Sequence, residues 1–303
     1  MAFHLKEITE TPARRISRHR TKREAISARD ANKRARQLLG EGRISATLHK
    51  VLSILAVAGV LSEAQLNRLL GVSGRSLRRY HKRHLLDRLY VLPPTLRKVA
   101  LEGADRYPRL YKLGLVGLAI TRHEEAPVPT GYDGFGVHRL AHDVLANEVL
   151  LRILLAAAGR GYDPIWLSKY EATVKNDSGR AILEPDGMLL LQHAQRPTRR
   201  YLLEYHNEDD GRRSAAKIRR YEEMARDGHW QSAWQCDELP TVLVCWTHNA
   251  VATGYRKAIE HQAHRHLGLR GSYLGMPLAR LLEGHDPLVW KNFLDGTLHE
   301  LVG

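Results

Sequence analysis

Two strand-forming segments joined by a short basic turn constrain the fold of this sequence more than any other feature. Residues 187–192 form an apolar run that follows Asp186, and residues 200–205 form a second run with Glu204 near its end. A polar loop and a helical segment come next. Consecutive strands with a helix behind them predict an α/β domain around a small mixed sheet.

The two acids and the following helix also predict a chemistry. Asp186 and Glu204 should lie on neighbouring strands, and Lys217 and Tyr221 share one helix face because they are four residues apart. Paired carboxylates can hold Mg²⁺ against a phosphodiester, with a lysine adding positive charge. In the simplest spacing that lysine lies two residues after the second acid, where this chain has His206. The alternative is that both acids are surface charges at strand ends.

The charge of the chain is unevenly distributed. Residues 1–44 contain 12 Lys or Arg against 5 Asp or Glu, and residues 71–122 contain 12 against 3. The remainder beyond residue 122 is slightly acidic. A basic N-terminal part joined to such a remainder predicts a module that binds a polyanion, and nucleic acid is the default polyanion.

A helix-turn-helix pattern follows the first basic segment. Apolar residues at helical spacing predict a helix over residues 48–55, and Ser62 opens a second helix with a capping-box pattern. Gly71 marks the turn, and Ser73 can cap a third helix running to about residue 89. This order of helices is typical of DNA-binding modules.

The third helix has separate basic and apolar faces. Its leucines can face the core, while its cations form a stripe suited to phosphates and guanine edges in the major groove. Two apolar segments after it predict a β-hairpin wing with basic residues between them. The predicted DNA contacts are Arg75, Arg78, Arg79, Lys82, Arg83, Arg97 and Lys98. The alternative is a generic three-helix module with solvated arginines.

The rest of the chain divides around a Pro- and Gly-rich linker. We predict a flexible basic arm over 1–44, a winged helix-turn-helix over 45–122, a linker over 123–136 and an α/β domain over 137–303. Within that domain we expect a helix to about residue 158, a strand over 165–174 that holds Glu171, a strand over 239–247 and a helix over 252–266. Glu148 falls on the apolar stripe of the first helix. A carboxylate there needs a metal, a cation or a helix-end partner, unless it lies at the solvent-exposed edge of the stripe.

Several other functions are disfavoured. No apolar run approaches the roughly 20 residues of a membrane span, and the N-terminus lacks a secretory h-region. The two cysteines, Cys236 and Cys245, make no disulfide framework, which favours the cytoplasm. The histidine groups at 138/142 and 261/264/266 lack a partner at standard zinc spacing. No Walker-type loop or nucleophile elbow is present.

The order of these motifs resembles the replication-relaxation proteins of plasmids and other mobile elements. The resemblance covers about residues 45–250 and rests on the helix-turn-helix followed by HRLAHDVLANEVLLRI, LEPDGMLL, YLLEYHN and AAKIRRYEEM. The second half is similar to the PD-(D/E)xK nuclease superfamily, which implies a restriction-endonuclease-like fold. The resemblance makes Asp186 and Glu204 the metal acids, places Lys217 and Tyr221 on the helix that follows the core strands, and makes Glu148 the first-helix acid of some members. His206 departs from the pattern.

Together these observations lead to one main hypothesis and two alternatives. The main hypothesis is a cytoplasmic protein that binds double-stranded DNA and nicks or relaxes it with Mg²⁺, acting with replication or mobilisation proteins or as a homodimer. The first alternative is a non-catalytic regulator that uses a degenerate nuclease fold for dimerisation or partner binding. An RNA-binding accessory factor is disfavoured because exposed aromatic platforms are lacking.

Overall fold

The computed structural model describes residues 25–90, 109–124, 137–262 and 272–303. These residues form a mixed α/β protein, which confirms the predicted fold class. They divide into two compact units, one that ends at Glu148 and one that runs from Val149 to Gly303. The division falls within a long helix. Most of the predicted linker over residues 123–136 lies outside the described ranges, which omit 125–136, so that boundary stays a prediction.

The N-terminal unit consists of helices and a small antiparallel sheet. Its helices are α1 (Ala28–Gly40), α2 (Ala46–Ala58), α3 (Glu63–Leu70), α4 (Gly74–Lys82), α5 (Leu115–His123) and the first part of α6 (Val137–Gly159). Its strands are β1 (Leu61–Ser62), β2 (Leu86–Tyr90) and β3 (Arg109–Leu113). The sheet order is β1-β3-β2, and β2 pairs with β3 from Leu86↔Leu113 to Tyr90↔Arg109.

Serine caps set the starts of three consecutive helices. The hydroxyl oxygens of Ser45 and Ser73 accept the backbone N–H of the residue three positions on, at the starts of α2 and α4. Ser62 and Gln65 form the predicted capping box of α3. Gly71 ends α3 in the left-handed conformation, with φ of 65°, which a residue without a Cβ adopts at no steric cost. The chain can therefore turn sharply from α3 into α4.

Helix α4 is shorter than the sequence predicts. It ends at Lys82, and His84, with φ of 61°, redirects the chain into β2. Leu85 and Leu86 are fully buried at this bend. Their apolar spacing fits both a continued helix and the start of a strand, so the pattern alone placed the helix end too late.

The predicted flexible arm contains a packed helix. Helix α1 packs against α5, and Ala31, Ala35 and Leu38 are buried. These residues recur at i, i+4 and i+7 but two of them are alanines, so the apolar stripe is narrow and the surrounding charges dominate the sequence pattern. Residues 1–24 of the predicted arm lie outside the described ranges.

The C-terminal unit is built on a seven-stranded mixed sheet, counted over the described residues. Its strands are β4 (Asp163–Leu167), β5 (Val174–Lys175), β6 (Ala181–Leu183), β7 (Gly187–His193), β8 (Arg196–His206), β9 (Thr241–Trp246), β10 (Tyr273–Pro277), β11 (Val289–Asn292) and β12 (Leu298–Glu300). Its helices after α6 are α7 (Lys169–Ala172), α8 (Arg212–Asp227), α9 (His229–Trp234), α10 (Asn249–Gln262) and α11 (Leu278–Leu282).

The order of the large sheet is β12-β11-β10-β9-β8-β7-β4. Strands β8, β9 and β10 are mutually parallel, whereas the other neighbouring pairs are antiparallel. The small β5–β6 ribbon is separate. Parallel neighbours need a crossover, and helices α8 and α10 provide the two that join β8 to β9 and β9 to β10.

One core lies between this sheet and helices α8–α10. Its buried members include Met188, Leu202, Val244, Ile218, Tyr221, Trp230 and Tyr255. Because strand side chains alternate between faces, Leu202, Glu204 and His206 of β8 point to the same side. The core side chain of Leu202 therefore places Glu204 and His206 on the helix-covered face.

Two segments differ from the sequence prediction. The strand expected over 165–174 ends at Leu167, because Ser168 and Glu171 form a capping box that starts the short helix α7. The tail that showed no clear pattern contains β10, α11, β11 and β12. Within the described residues, no helix is both long and apolar enough to cross a membrane.

Helices α8 and α10 approach each other through two glycines. A Cβ on Gly254 would lie 2.6 Å from the carbonyl oxygen of Gly211, and one on Gly211 would lie 2.6 Å from that of Ala250. The Ser214 hydroxyl donates to the carbonyl oxygen of Val251 at 3.2 Å beside this contact. Only residues without a Cβ permit such backbone contact.

We expect Gly254→Ala to destabilise the C-terminal unit by about 1–3 kcal/mol, because the added methyl meets main-chain atoms that cannot rotate away. The free energy of unfolding from urea denaturation checks this. Gly159→Ala is the matched control, since nothing lies within 4 Å of its added Cβ. Equal stability of the two variants would contradict the close contact.

Candidate functional site

Asp186 is fixed at the start of β7 by the neighbouring strand. Its backbone N–H donates to the carbonyl oxygen of Leu203 at 2.9 Å, and its Oδ2 accepts the backbone N–H of Tyr205 at 2.8 Å. The Asp186 side chain is half-buried. These two hydrogen bonds hold the Asp186 carboxylate against the end of β8, next to Glu204, the second predicted acid.

Glu204 is buried beneath α8. Its side chain is 1% exposed, its Oε1 accepts the Tyr221 hydroxyl at 2.6 Å, and its Oε2 lies 2.8 Å from Lys217 Nζ. Lys217 also donates to the carbonyl oxygen of Glu184 at 3.0 Å. The structure thus brings together Asp186, Glu204, Lys217 and Tyr221, which we call the acid–lysine cluster. The lysine of the cluster comes from helix α8, whereas His206 occupies the position on β8 where the simplest spacing places a lysine.

The charges of the cluster are coupled. Burial raises the pKa of Glu204, the Lys217 ammonium opposes that rise, and the Asp186 carboxylate adds to it. For Lys217, burial lowers the pKa, but the carboxylates of Glu204 and Asp186 raise it by more. Burial and the charge of Glu204 also raise the pKa of Tyr221 well above its usual value. Tyr221 is therefore a hydrogen-bond donor to the carboxylate.

His206 takes part in a second polar network on the same face. Its Nδ1 lies 2.8 Å from Glu208 Oε1, and its Nε2 lies 2.8 Å from the hydroxyl oxygen of Tyr255. Burial acts to raise the pKa of Glu208, but the hydrogen bond to the buried His206 is among the interactions that together lower it. No sequence pattern pointed to Tyr255, which lies 49 residues further on and meets His206 only through tertiary packing.

A Mg²⁺ ion bound by this cluster would require Glu204 to exchange its present partners. Mg²⁺ requires octahedral oxygen coordination. Both oxygens of Glu204 are held by Tyr221 and Lys217, so an ion would have to displace a hydroxyl and an ammonium. Within the described residues, no group of three His, Cys, Asp or Glu side chains is placed to hold a metal. The proposed binding of Mg²⁺ by Asp186 and Glu204 stays a prediction.

Glu148 has a cation and an amide as partners. Its fully buried Oε2 lies 2.6 Å from Arg68 Nη2 and accepts Gln65 Nε2 at 3.0 Å. Gln65 is also the capping-box residue of α3, so the bond ties the first turn of α3 to α6. This answers why a carboxylate lies on an apolar stripe. The catalytic role suggested for Glu148 stays a prediction.

The basic face of α4 is solvent-facing. Arg75, Arg78, Arg79 and Lys82 are exposed, Arg83 is half-buried, and Leu77 and Tyr80 on the opposite side are buried. The Arg79 guanidinium lies 5.6 Å from the centre of the Tyr80 ring. The other two predicted contacts, Arg97 and Lys98, lie outside the described residues. The exposed cations form one continuous helical stripe.

Comparison with known proteins gives one match. A family model described as replication-relaxation matches residues 52–236, more than half of the chain. The matched segment contains α4 and all four members of the acid–lysine cluster. No curated protein and no solved structure matches the chain.

The buried carboxylate should make stability depend on pH. The folded state holds the Glu204 proton more tightly than the unfolded chain, whose ordinary pKa is 4.5. Between that value and the raised pKa the unfolded state binds fewer protons, so the free energy of unfolding should fall as pH rises. The Glu204→Gln variant lacks this titrating group. Its free energy of unfolding minus that of the wild-type protein should therefore rise with pH across this window.

Urea denaturation at a series of pH values measures this difference. Glu283→Gln is the control, because Glu283 is an exposed acid of the same unit. A stability difference for Glu204→Gln that stays constant with pH would mean that the ion pair with Lys217 balances burial, and a difference that falls would mean that the ion pair outweighs it.

Proposed function

The chain belongs to the replication-relaxation family, and we propose that it binds double-stranded DNA in the replication or relaxation of a plasmid or other mobile element. The observation that carries this proposal is the exposed cationic stripe of α4 above a buried Leu77 and Tyr80. Guanidinium groups on one face of a packed helix suit the phosphates and guanine edges of the major groove.

The elements around α4 support a winged-helix docking mode. Helices α3 and α4 meet at the Gly71 turn, and the antiparallel β2–β3 pair follows. In such a module the second helix enters the groove while the strands rest on the backbone, where contacts position the protein without reading sequence. A basic N-terminal part would steer this unit to DNA, and the cytoplasm is the proposed location.

The order of elements in the C-terminal unit supports a nuclease-like domain. Helix α6, the antiparallel strands β4, β7 and β8, helix α8 and the parallel strand β9 follow in the order expected from the resemblance to the PD-(D/E)xK superfamily. We propose that this unit engages the DNA backbone. A fold of this kind does not by itself imply cleavage.

Phosphodiester cleavage is the second candidate function. The observation that favours it is the convergence of Asp186, Glu204, Lys217 and Tyr221 from two strands and a helix. The paired state of Glu204 favours the alternative, a regulator without catalysis. Both candidate functions include DNA binding, but only phosphodiester cleavage breaks a DNA strand.

Replacing two arginines of α4 tests the docking mode. We expect Arg78→Ala with Arg79→Ala to weaken binding to duplex DNA by at least tenfold and to reduce the slope of log affinity against log salt by about 2, because two phosphate or base contacts are lost. Fluorescence anisotropy over a salt series measures both quantities.

The matched control is Arg219→Ala with Arg220→Ala, an adjacent exposed pair on α8. It removes the same charge from the C-terminal unit. Equal loss of affinity in the two double variants would show that α4 is not the specific docking helix. A flat salt titration of the original protein would refute DNA binding through cations.

Nicking of supercoiled plasmid separates the two candidate functions. If the acid–lysine cluster cleaves DNA, the original protein should convert supercoiled plasmid to open circles in Mg²⁺, and Asp186→Ala should reduce the rate at least a hundredfold. Asp209→Ala, which removes an exposed acid from the loop after β8, is the control. Duplex binding without nicking would leave the regulator as the function. Nicking unaffected by Asp186→Ala would show that the acid–lysine cluster does not cleave the DNA.

A further inference from the structure

A cavity of about 330 Å³ opens in the C-terminal unit, within the size range of ligand pockets. It lies where the parallel strands β9 and β10 end, since Trp246 and Pro277 line it and are the paired last residues of the two strands. Ligands of open α/β sheets commonly bind outside the carboxyl ends of parallel strands. The cavity residues lie beyond the segment that matches the family model.

Three cations from three different elements surround this cavity. Arg256 comes from α10, Arg280 from α11 and Lys291 from β11, and all three are exposed, with His285 beside them. The lining residues of the described part include no Asp or Glu. The first two turns of α10 also line the cavity, and a helix N-terminus favours negative charge. The rim is therefore suited to an anion.

The floor of the cavity is aromatic. The rings of Trp246 and Phe293 lie 5.5 Å apart between centres and are tilted by 41°. A Cβ on Gly275 would lie 2.6 Å from both rings, so a glycine at this position lets them close beneath the cavity. Aromatic side chains next to cations are the usual surface for an unpaired base and its phosphate.

We propose that this cavity binds one nucleotide, with the phosphate between Arg256, Arg280 and Lys291 and the base against Trp246 and Phe293. Trp246 pairs with His206, two residues beyond Glu204 on the adjacent strand, so the cavity opens at the same sheet edge as the acid–lysine cluster. The bound nucleotide would belong to an unpaired strand of the DNA or would be a free nucleotide. The first of these rests on the proposed function.

Substitution of one cavity arginine tests this site. We expect Arg256→Gln to weaken binding of a fluorescent single-stranded oligothymidylate about tenfold, the loss of one charge-assisted contact. Thymidine monophosphate should displace the oligonucleotide from the original protein. Lys257→Gln is the matched control, because it removes the same charge from the adjacent exposed position of α10, and Lys257 does not line the cavity.

The outcomes are distinct. Equal affinities of Arg256→Gln and Lys257→Gln, or displacement by inorganic phosphate as effective as by thymidine monophosphate, would overturn the nucleotide site. Displacement by the mononucleotide and loss of strand affinity in Arg256→Gln would support it. Duplex binding is measured separately and is expected to depend on α4. If duplex binding failed while single-strand binding stayed intact, only the proposed docking mode would be refuted.

Discussion

The burial of the Glu204 carboxylate sets the relation between the central sheet and helix α8. An ionised carboxylate inside a protein costs several kcal/mol unless donors replace its water shell. Tyr221 and Lys217, one helical turn apart, supply a donor to each oxygen. Helix α8 therefore cannot shift along the sheet by a turn without leaving the charge unpaired, and the close glycine contact with α10 fixes its N-terminal end.

The N-terminal unit meets the same problem with Glu148. Arg68 and Gln65 satisfy that carboxylate, and Gln65 at the same time caps α3. A buried acid on an apolar stripe thus has two explanations, chemistry or attachment of one helix to another, and the sequence pattern is identical for both. Only the identity of the partners separates them, and the partners of Glu148 lie some 80 residues away in the chain.

Local sequence patterns predicted most helices and strands correctly, but they did not predict contacts between residues distant in the sequence. Strands β7 and β8, the capped helices α3 and α4 and the shared face of Lys217 and Tyr221 follow from spacing and short-range hydrogen bonds. The short helix α7 was missed because a single capping box outweighed a strand-like composition. The tail strands were missed because each is short and its pairing partner, not its own sequence, stabilises it. The network of His206 with Tyr255 could not be foreseen, since no local pattern relates strand and helix residues 49 positions apart.

Local charge, rather than net charge, determines which surfaces of the C-terminal part attract phosphate. Residues 123–303 contain 21 Lys or Arg against 24 Asp or Glu, so the part as a whole is weakly acidic. Several of those acids are already paired, as Glu204 is with Lys217 and Asp210 with Arg212. Exposed charges more than about 8–10 Å apart are largely screened at physiological salt. A phosphate in the proposed nucleotide site would therefore be affected mainly by the charges within that distance, including Arg256, Arg280 and Lys291, rather than by the net charge of residues 123–303.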